Sequence, residues 1–348
     1  MTLDITPEKI TDEKELERLL TTPRPELVED LCTGSGDLVI LGAGGKMGPS
    51  LAKLARAGLD AAGRTGDAVH AVSRFSGERL RRDLAESGVR VVPFDLIEND
   101  DLSALPDAAD VIHLVGAKFG VEDDRSWAWE VNAALPDRVT RRYRTSRLVA
   151  LSTGNVYPFV SPDSGGATEE TPPDPVGEYA QSCLGRERVF GFAARTWGTP
   201  LGVVRLNYAI DLRYGVLADI ATHILAGDPI PLATGHVNVV WQGYANEVIL
   251  RSLRRASPEI FTINLTGPEL LEIREVANRI AALLGHEARF TGIPEPTALI
   301  SDSTRCMNLF GRPDVTADRL IRWQAAWMRE GRPMAHKPTK WAVRDGRF

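Results

Sequence analysis

Apolar residues fall along this chain in two alternating rhythms. Asp37–Leu41 is a short apolar run without polar alternation, as in a strand buried on both faces, and Ala68–Ser73, Val89–Asp95, Asp110–Gly116, Arg147–Thr153 and Gly202–Asn207 read as further strands. Between them lie segments with helical spacing: the stretch from Gly48 to about Ala62, then Gly77–Glu86, Arg125–Arg144 and Tyr179–Arg195. Strands alternating with helices predict an α/β fold with a doubly wound parallel sheet, helices on both faces and right-handed crossovers. Its ligand crevice should lie at the carboxyl ends of the strands. After Asn207 the rhythm loosens. Leu217–Ala226 and Asn246–Arg255 predict helices, Phe261–Leu265 a strand, and Ile273–Leu284 a helix stopped by Gly285. Ahead of the first strand, Thr11-Asp12-Glu13-Lys14-Glu15-Leu16 carries a helix-start pattern that Pro23 and Pro25 break. The last residues, His336 to Phe348, are rich in basic side chains and predict a surface tail.

Composition narrows the class. Hydrophobic residues make up 43% of the 348 and charged residues 25%, so a disordered chain is excluded. No run approaches the ~20 apolar residues that cross a bilayer, and the polar, acidic first residues are not a signal peptide. The formal charge of −6 leaves no electrostatic footprint for nucleic acid, and the tail has no amphipathic pattern for a membrane surface. Cys32, Cys183 and Cys306 lie far apart without metal spacing, which points to a reducing, cytoplasmic setting. The six histidines are scattered, with His70 and His113 in predicted strands, so no metal site is expected. Ser152 has no G-x-S-x-G elbow around it. Trp323 and Trp327, four residues apart, share a helix face suited to core or interface.

The strongest chemical signal is the glycine loop Gly42-Ala43-Gly44-Gly45-Lys46-Met47-Gly48. Glycines at 42, 45 and 48 permit a tight turn and a close backbone approach to a pyrophosphate. The helix that follows offers free N–H groups and its positive dipole end to that anion. A strand before the loop and a helix after it are the context that makes the motif informative. The expected organisation is an N-terminal helical extension over 1–36 and a Rossmann-type dinucleotide-binding domain over 37–207. A smaller α/β substrate-binding region then covers 208–348, with 245–270 returning to the sheet. At the end of the second strand, Ser73-Arg74 stand where NAD sites carry an acidic residue for the ribose 2′-hydroxyl. An arginine there suits a 2′-phosphate, so NADP is preferred over NAD.

These motifs, taken in order, resemble the extended short-chain dehydrogenase/reductase superfamily and within it the NAD-dependent epimerase/dehydratase family, over about residues 38 to 330. Asp95-Leu96 resembles the pair that contacts the adenine. Val111-Ile112-His113-Leu114-Val115-Gly116-Ala117-Lys118 resembles the fourth-strand motif, and a lysine at the position of Lys118 lies near the cofactor phosphates in UDP-galactose 4-epimerases. Val131-Asn132 resembles the V-N pair on the next helix, and Ile300-Ser301-Asp302 resembles part of the C-terminal cap. Leu151-Ser152-Thr153-Gly154-Asn155-Val156-Tyr157 resembles S-[ST]-x-x-V-Y, which points to Thr153 as catalytic, and Tyr179 takes the Y-x-x-x-K tyrosine position. Cofactor contacts are accordingly expected from Gly42, Gly45, Lys46, Met47, Gly48, Ser73, Arg74, Asp95, Leu96, Val115, Gly116, Lys118, Asn132 and Asn207.

Two departures shape the expected function. Cys183 stands where the family has its lysine. A residue four positions after Tyr179 shares its helix face, and a neutral thiol lacks the charge that lowers a tyrosine pKa. Tyr179 is then a poor base near neutral pH yet still a proton donor, and Cys183 is either packing or itself chemical. Arg186, seven residues after Tyr179 and roughly on its face, either replaces that charge or makes a surface salt bridge, and the salt bridge is the expected role. The second departure lies at Gly235-His236-Val237-Asn238-Val239-Val240-Trp241-Gln242, which lacks the arginine and aspartate of the diphosphate clamp in nucleotide-sugar members. Arg213 is either an anion ligand or a structural surface residue. The expectation is an NAD(P)-dependent oxidoreductase or epimerase acting on a small sugar, sugar acid or polyol-like compound, with Thr153 and Tyr179 polarising the substrate oxygen. Its alternatives are a catalytically silent NADP-binding sensor and a nucleotide-sugar epimerase or dehydratase. A homodimer is expected only by analogy.

Overall fold

A computed structural model of the chain describes residues 7–119, 124–337 and 339–347. Seven strands form one parallel sheet: β1 (Leu38–Leu41), β2 (Val69–Ser73), β3 (Arg90–Pro93), β4 (Asp110–His113), β5 (Arg147–Thr153), β6 (Leu201–Leu206) and β7 (Phe261–Leu265). Their order is β3-β2-β1-β4-β5-β6-β7, the predicted doubly wound arrangement. The chain reverses direction across the sheet between β1 and β4, so their carboxyl ends open the crevice. Leu41 pairs with Val72 on one side and His113 on the other, which sets Gly42 at the centre of that edge.

The unbroken apolar run of β1 follows from burial on both faces. Successive side chains of a strand point to opposite sides. Thus Leu38 and Ile40 of β1 pack with Leu51, Ile112 and Val204 in one layer. Val39 and Leu41 pack with Val72, Leu135, Val139 and Phe190 in the other.

The helices are α1 (Glu13–Thr21), α2 (Pro25–Cys32), α3 (Gly48–Ala61), α4 (Glu78–Glu86), α5 (Arg125–Trp129), α6 (Leu135–Arg142), α7 (Gly177–Trp197), α8 (Val216–Ala226), α9 (Gln242–Ser252), α10 (Ile273–Leu284), α11 (Thr304–Phe310) and α12 (Ala317–Arg329). Asp12 caps α1 by accepting from the Glu15 N–H, as the start pattern implied. Helices α1 and α2 pack on α3 and α9, tied there by Arg24–Glu247 and Arg251–Asp30 ion pairs at 2.6 Å. Trp323 and Trp327 are core residues, and Trp323 meets Trp241 edge to face at 5.6 Å. Among the described residues no helix is long and apolar enough to cross a membrane.

Three sequence expectations change. The single helix expected over Arg125–Arg144 is interrupted by a π-helical turn at Glu130–Ala134, between α5 and α6, because Asn132 must face inward to bond the β4 loop. The helix expected from Asn246 starts at Gln242. Its first turn is buried and polar, with Gln242 donating to Ser50 Oγ at 2.9 Å, so hydrophobic periodicity could not reveal it. The basic tail is not a surface tail. Trp341 is only 5% exposed, and Thr339 donates to Asp219 Oδ2 through its backbone N–H at 2.8 Å and its hydroxyl at 2.6 Å. A single aromatic anchor outweighs the surrounding basic side chains.

Candidate active site

The loop after β1 is built for close approach. Gly42 has φ +86°, and a Cβ there would lie 3.0 Å from the Val115 nitrogen. A Cβ on Gly48 would meet the Ala43 carbonyl oxygen at 2.4 Å. No side chain caps the first turn of α3, which leaves its N–H groups directed at the loop. These features fit the diphosphate of a dinucleotide.

Beside the loop lies a cavity of about 300 Å³. Gly42, Gly45, Lys46, Met47 and Gly48 form one wall, Gly116 and Lys118 another, and Thr153, Tyr179 and Asn207 close the inner end. Gly154, just past Thr153, is compelled by Asn207: a Cβ there would sit 1.8 Å from the Asn207 Oδ1. Asn207 in turn donates to Ser301 Oγ at 3.1 Å.

Thr153 ends β5, donates to Asn155 Oδ1 at 3.1 Å and accepts the Asn155 N–H at 3.2 Å, which fixes its hydroxyl. The Tyr179 hydroxyl is hydrogen-bonded to Thr153 and to the Cys183 thiol. Burial, and then Cys183, push Tyr179 above the ordinary tyrosine range, while Arg186 and Thr153 pull it back. Burial likewise raises the Cys183 thiol. Cys183 packs with Val156, Tyr157 and Ala167 outside the cavity wall, so it is a neutral packing group in this geometry.

Two lysines guard the outer side. Lys118 lies 5.8 Å over the Tyr179 ring and donates to the Thr339 carbonyl at 3.0 Å. Burial and the nearby Lys46 lower its pKa to about 8. Lys46 donates to the Lys337 carbonyl at 3.3 Å and sits 5.0 Å over the Tyr214 ring.

Other sequence candidates lie around rather than in this cavity. Ser73 packs at the loop edge, where a Cβ on Gly44 would meet its Oγ at 2.7 Å. The Arg74 side chain is 73% exposed and 3.9 Å from Asp95. Asp95 Oδ1 accepts the Ile97 and Glu98 N–H groups, Leu96 is buried in the core, and Val115 backs Gly42. Asn132 is fully engaged. Its Oδ1 accepts from Ala117 N and Arg186, and its Nδ2 donates to Ala117 O and Ser182 Oγ. It therefore shapes the backbone of the β4 loop.

His70 bonds Asp37 at 2.8 Å, and buried His113 packs edge-on against Phe190. Arg213 pairs with Asp211 and Glu17.

The expected surface role of Arg186 is wrong: it is buried and lines the cavity, because α7 turns that face onto β5 and the β4 loop. Sequence reasoning also missed Glu187, which accepts from Ser152 at 2.5 Å and pairs with Arg205 at 2.7 Å. It missed Asn155, Tyr214 and Thr339 as cavity residues too. Helical phase on α7 was the only signal for Arg186 and Glu187, and only contact in three dimensions reveals the others.

Fold and site together define a doubly wound α/β protein of short-chain dehydrogenase/reductase architecture. The NAD dependent epimerase/dehydratase family matches residues 38–234, and the chain belongs to that family. No curated protein sequence matches it. Among solved structures it is similar to UDP-glucuronic acid 4-epimerase from Bacillus cereus in complex with UDP-glucuronic acid and NAD, at 17% identity and TM-score 0.69, over 84% of this chain and 99% of that one. It is similar to UDP-glucose 4-epimerase from Thermotoga maritima with UDP-glucose, at 15% identity and TM-score 0.68, over 85% and 99%. A short-chain dehydrogenase/reductase superfamily protein from Agrobacterium tumefaciens with bound NAD gives 20% identity and TM-score 0.69, over 85% and 98%. These likenesses show the shared fold.

Proposed function

We propose that the protein is an NAD(P)-dependent oxidoreductase or epimerase acting on a small sugar, sugar acid or polyol-like substrate. The observation that carries this reading is the Thr153–Tyr179 hydroxyl pair at the inner end of the cavity formed by the glycine loop. Bound there, the dinucleotide supplies hydride transfer to or from a substrate carbon.

The chain's own groups do the rest. The loop amides and the start of α3 hold the diphosphate, with Lys46 and Lys118 as its cationic partners. Thr153 and Tyr179 hydrogen-bond the substrate oxygen. Tyr179, protonated at neutral pH, donates its proton as a carbonyl becomes a hydroxyl. The Gly235–Gln242 segment lacks the charges of a diphosphate clamp, which supports the small-substrate choice. The three cysteines are unpaired, in keeping with a cytoplasmic setting.

Exposed Arg74 beside Ser73 supports NADP over NAD. We expect NADP to bind more tightly, and Arg74→Ala to erase the difference in a fluorescence titration of both cofactors. Equal affinities in the wild-type chain would remove the preference. Tyr179→Phe is expected to lower turnover about 100-fold or more while dinucleotide affinity stays unchanged. No turnover on a broad sugar panel, with cofactor binding intact, would favour the silent sensor instead.

A second reading has one observation behind it. An adjoining cavity of about 510 Å³, which shares Tyr214 with the first, is lined by His223, His336, Lys337 and Lys340 and has room for a nucleotide. Micromolar affinity for a UDP- or TDP-sugar would select this nucleotide-sugar reading.

A further inference from the structure

Cys183 leaves the tyrosine without the family's neighbouring charge, and the same helix restores a charge one turn later. Arg186 projects from the Tyr179 face of α7, two turns along, and is only 5% exposed. Its Nη1 donates to the Leu151 carbonyl at 2.8 Å and its Nη2 to Asn132 Oδ1 at 2.5 Å. Nε is buried with no partner. Among the described residues no carboxylate pairs with this guanidinium, and the adjacent Glu187 is committed to Arg205 at 2.7 Å. Space is kept for it as well, since a Cβ on Gly116 would lie 2.8 Å from Nη2. A buried cation without a counter-ion is costly unless a ligand or a reacting group uses it. The guanidinium shares its cavity with Tyr179 and Thr153.

We propose that Arg186 is the positioning cation of this site, replacing the ammonium group that the family carries four residues after the tyrosine and holding its charge beside the dinucleotide bound at Tyr179. The proposal rests on the dinucleotide-binding reading above. Its field is felt by three groups around it: it draws Tyr179, Cys183 and His113 all downward.

The groups facing Tyr179 are Cys183 and Arg186 from α7, Thr153 from β5 and Lys118 from the β4 loop. Lys118 is in turn faced by Lys46, Cys183, Asp219 and Lys340. Lys118 loses its charge above about pH 8, whereas a guanidinium stays charged throughout the working range. The two cations are therefore separable by pH.

Three chains with the full sequence test this: wild type, Arg186→Gln and Arg186→Lys, each titrated with NADP and NAD at neutral pH. Glutamine can still donate to the Leu151 carbonyl but carries no charge, and lysine keeps the charge. Arg186→Gln is expected to weaken dinucleotide binding about tenfold or more and to lower turnover in parallel. Arg186→Lys should stay much closer to wild type in both. Wild-type affinity in Arg186→Gln, or no advantage of Arg186→Lys over it, overturns the assignment and leaves the function reading intact. Failure of the wild-type chain to bind either dinucleotide overturns both.

Should Arg186→Gln not fold, the comparison moves to a Lys118→Met background. There, dinucleotide affinity should be flat with pH when Arg186 is present. It should fall with rising pH in Arg186→Lys, whose buried amine loses its proton. A flat profile in both overturns the proposal.

Discussion

Lys118 concentrates the electrostatics of the site in one side chain. Burial and Lys46 hold its pKa at about 8, below the ordinary lysine value. The free protein therefore sheds this proton as pH rises through 8. A dinucleotide diphosphate favours the charged amine, so the bound state keeps the proton to higher pH and binding takes one up above 8. Affinity should be level below pH 8 and weaken above it, by at most about tenfold per pH unit. Titrations from pH 6.5 to 9.5 check this, and Lys118→Met should flatten the profile. At this scale Thr153 and Tyr179 were singled out through the motifs that carry the family resemblance, and the strand end and the first turn of α7 bring both to one cavity. Arg186 was legible only as a phase on α7. Its burial depends on Asn132 and the Leu151 carbonyl, which lie 54 and 35 residues away in sequence.

At the level of elements, the βα unit of β1 and α3 does most of the positioning. Gly48 opens α3 against the Ala43 carbonyl, and a methyl group there has only 2.4 Å. That oxygen belongs to the backbone, so relief must come from opening the loop. Gly48→Ala is expected to weaken dinucleotide binding about tenfold or more while leaving the circular-dichroism spectrum native. Unchanged affinity would show that the loop relaxes without harm. β1 was readable because burial on both faces leaves no polar residue within it, and β7 appears at the residues expected of it. The π-turn at Glu130–Ala134 was not readable, since its cause is a long-range need. Asn132 reaches back to Ala117 with both its oxygen and its nitrogen, and an unbroken α-helix over this stretch gives no signal of that reach.

Across the whole molecule, the last residues complete the outer side of the site. Lys46 and Lys118 donate to carbonyls of Lys337 and Thr339, and Arg344 donates to the Thr297 carbonyl at 2.6 Å while stacking on Phe159. Read from sequence, the segment is a row of basic residues, because a lone tryptophan carries no periodicity. In the folded chain Trp341 joins the main core and anchors the rest. The hydrogen bonds alone do not hold it: net contributions of about 1 kcal/mol each are offset by the entropy of ordering the segment. Trp341→Ala removes an anchor of about 3–5 kcal/mol, which exceeds what those bonds can retain, so the tail should leave its groove while the sheet stays folded. Lys340, Arg344 and Arg347 are trypsin sites. Limited trypsin digestion should therefore trim the variant's C-terminus at least about tenfold faster than the wild type, as the population of the open form follows the lost free energy. The body of the chain should survive intact on the same gel. Trimming at the wild-type rate would mean that the Asp219 and Thr297 contacts hold the tail without Trp341.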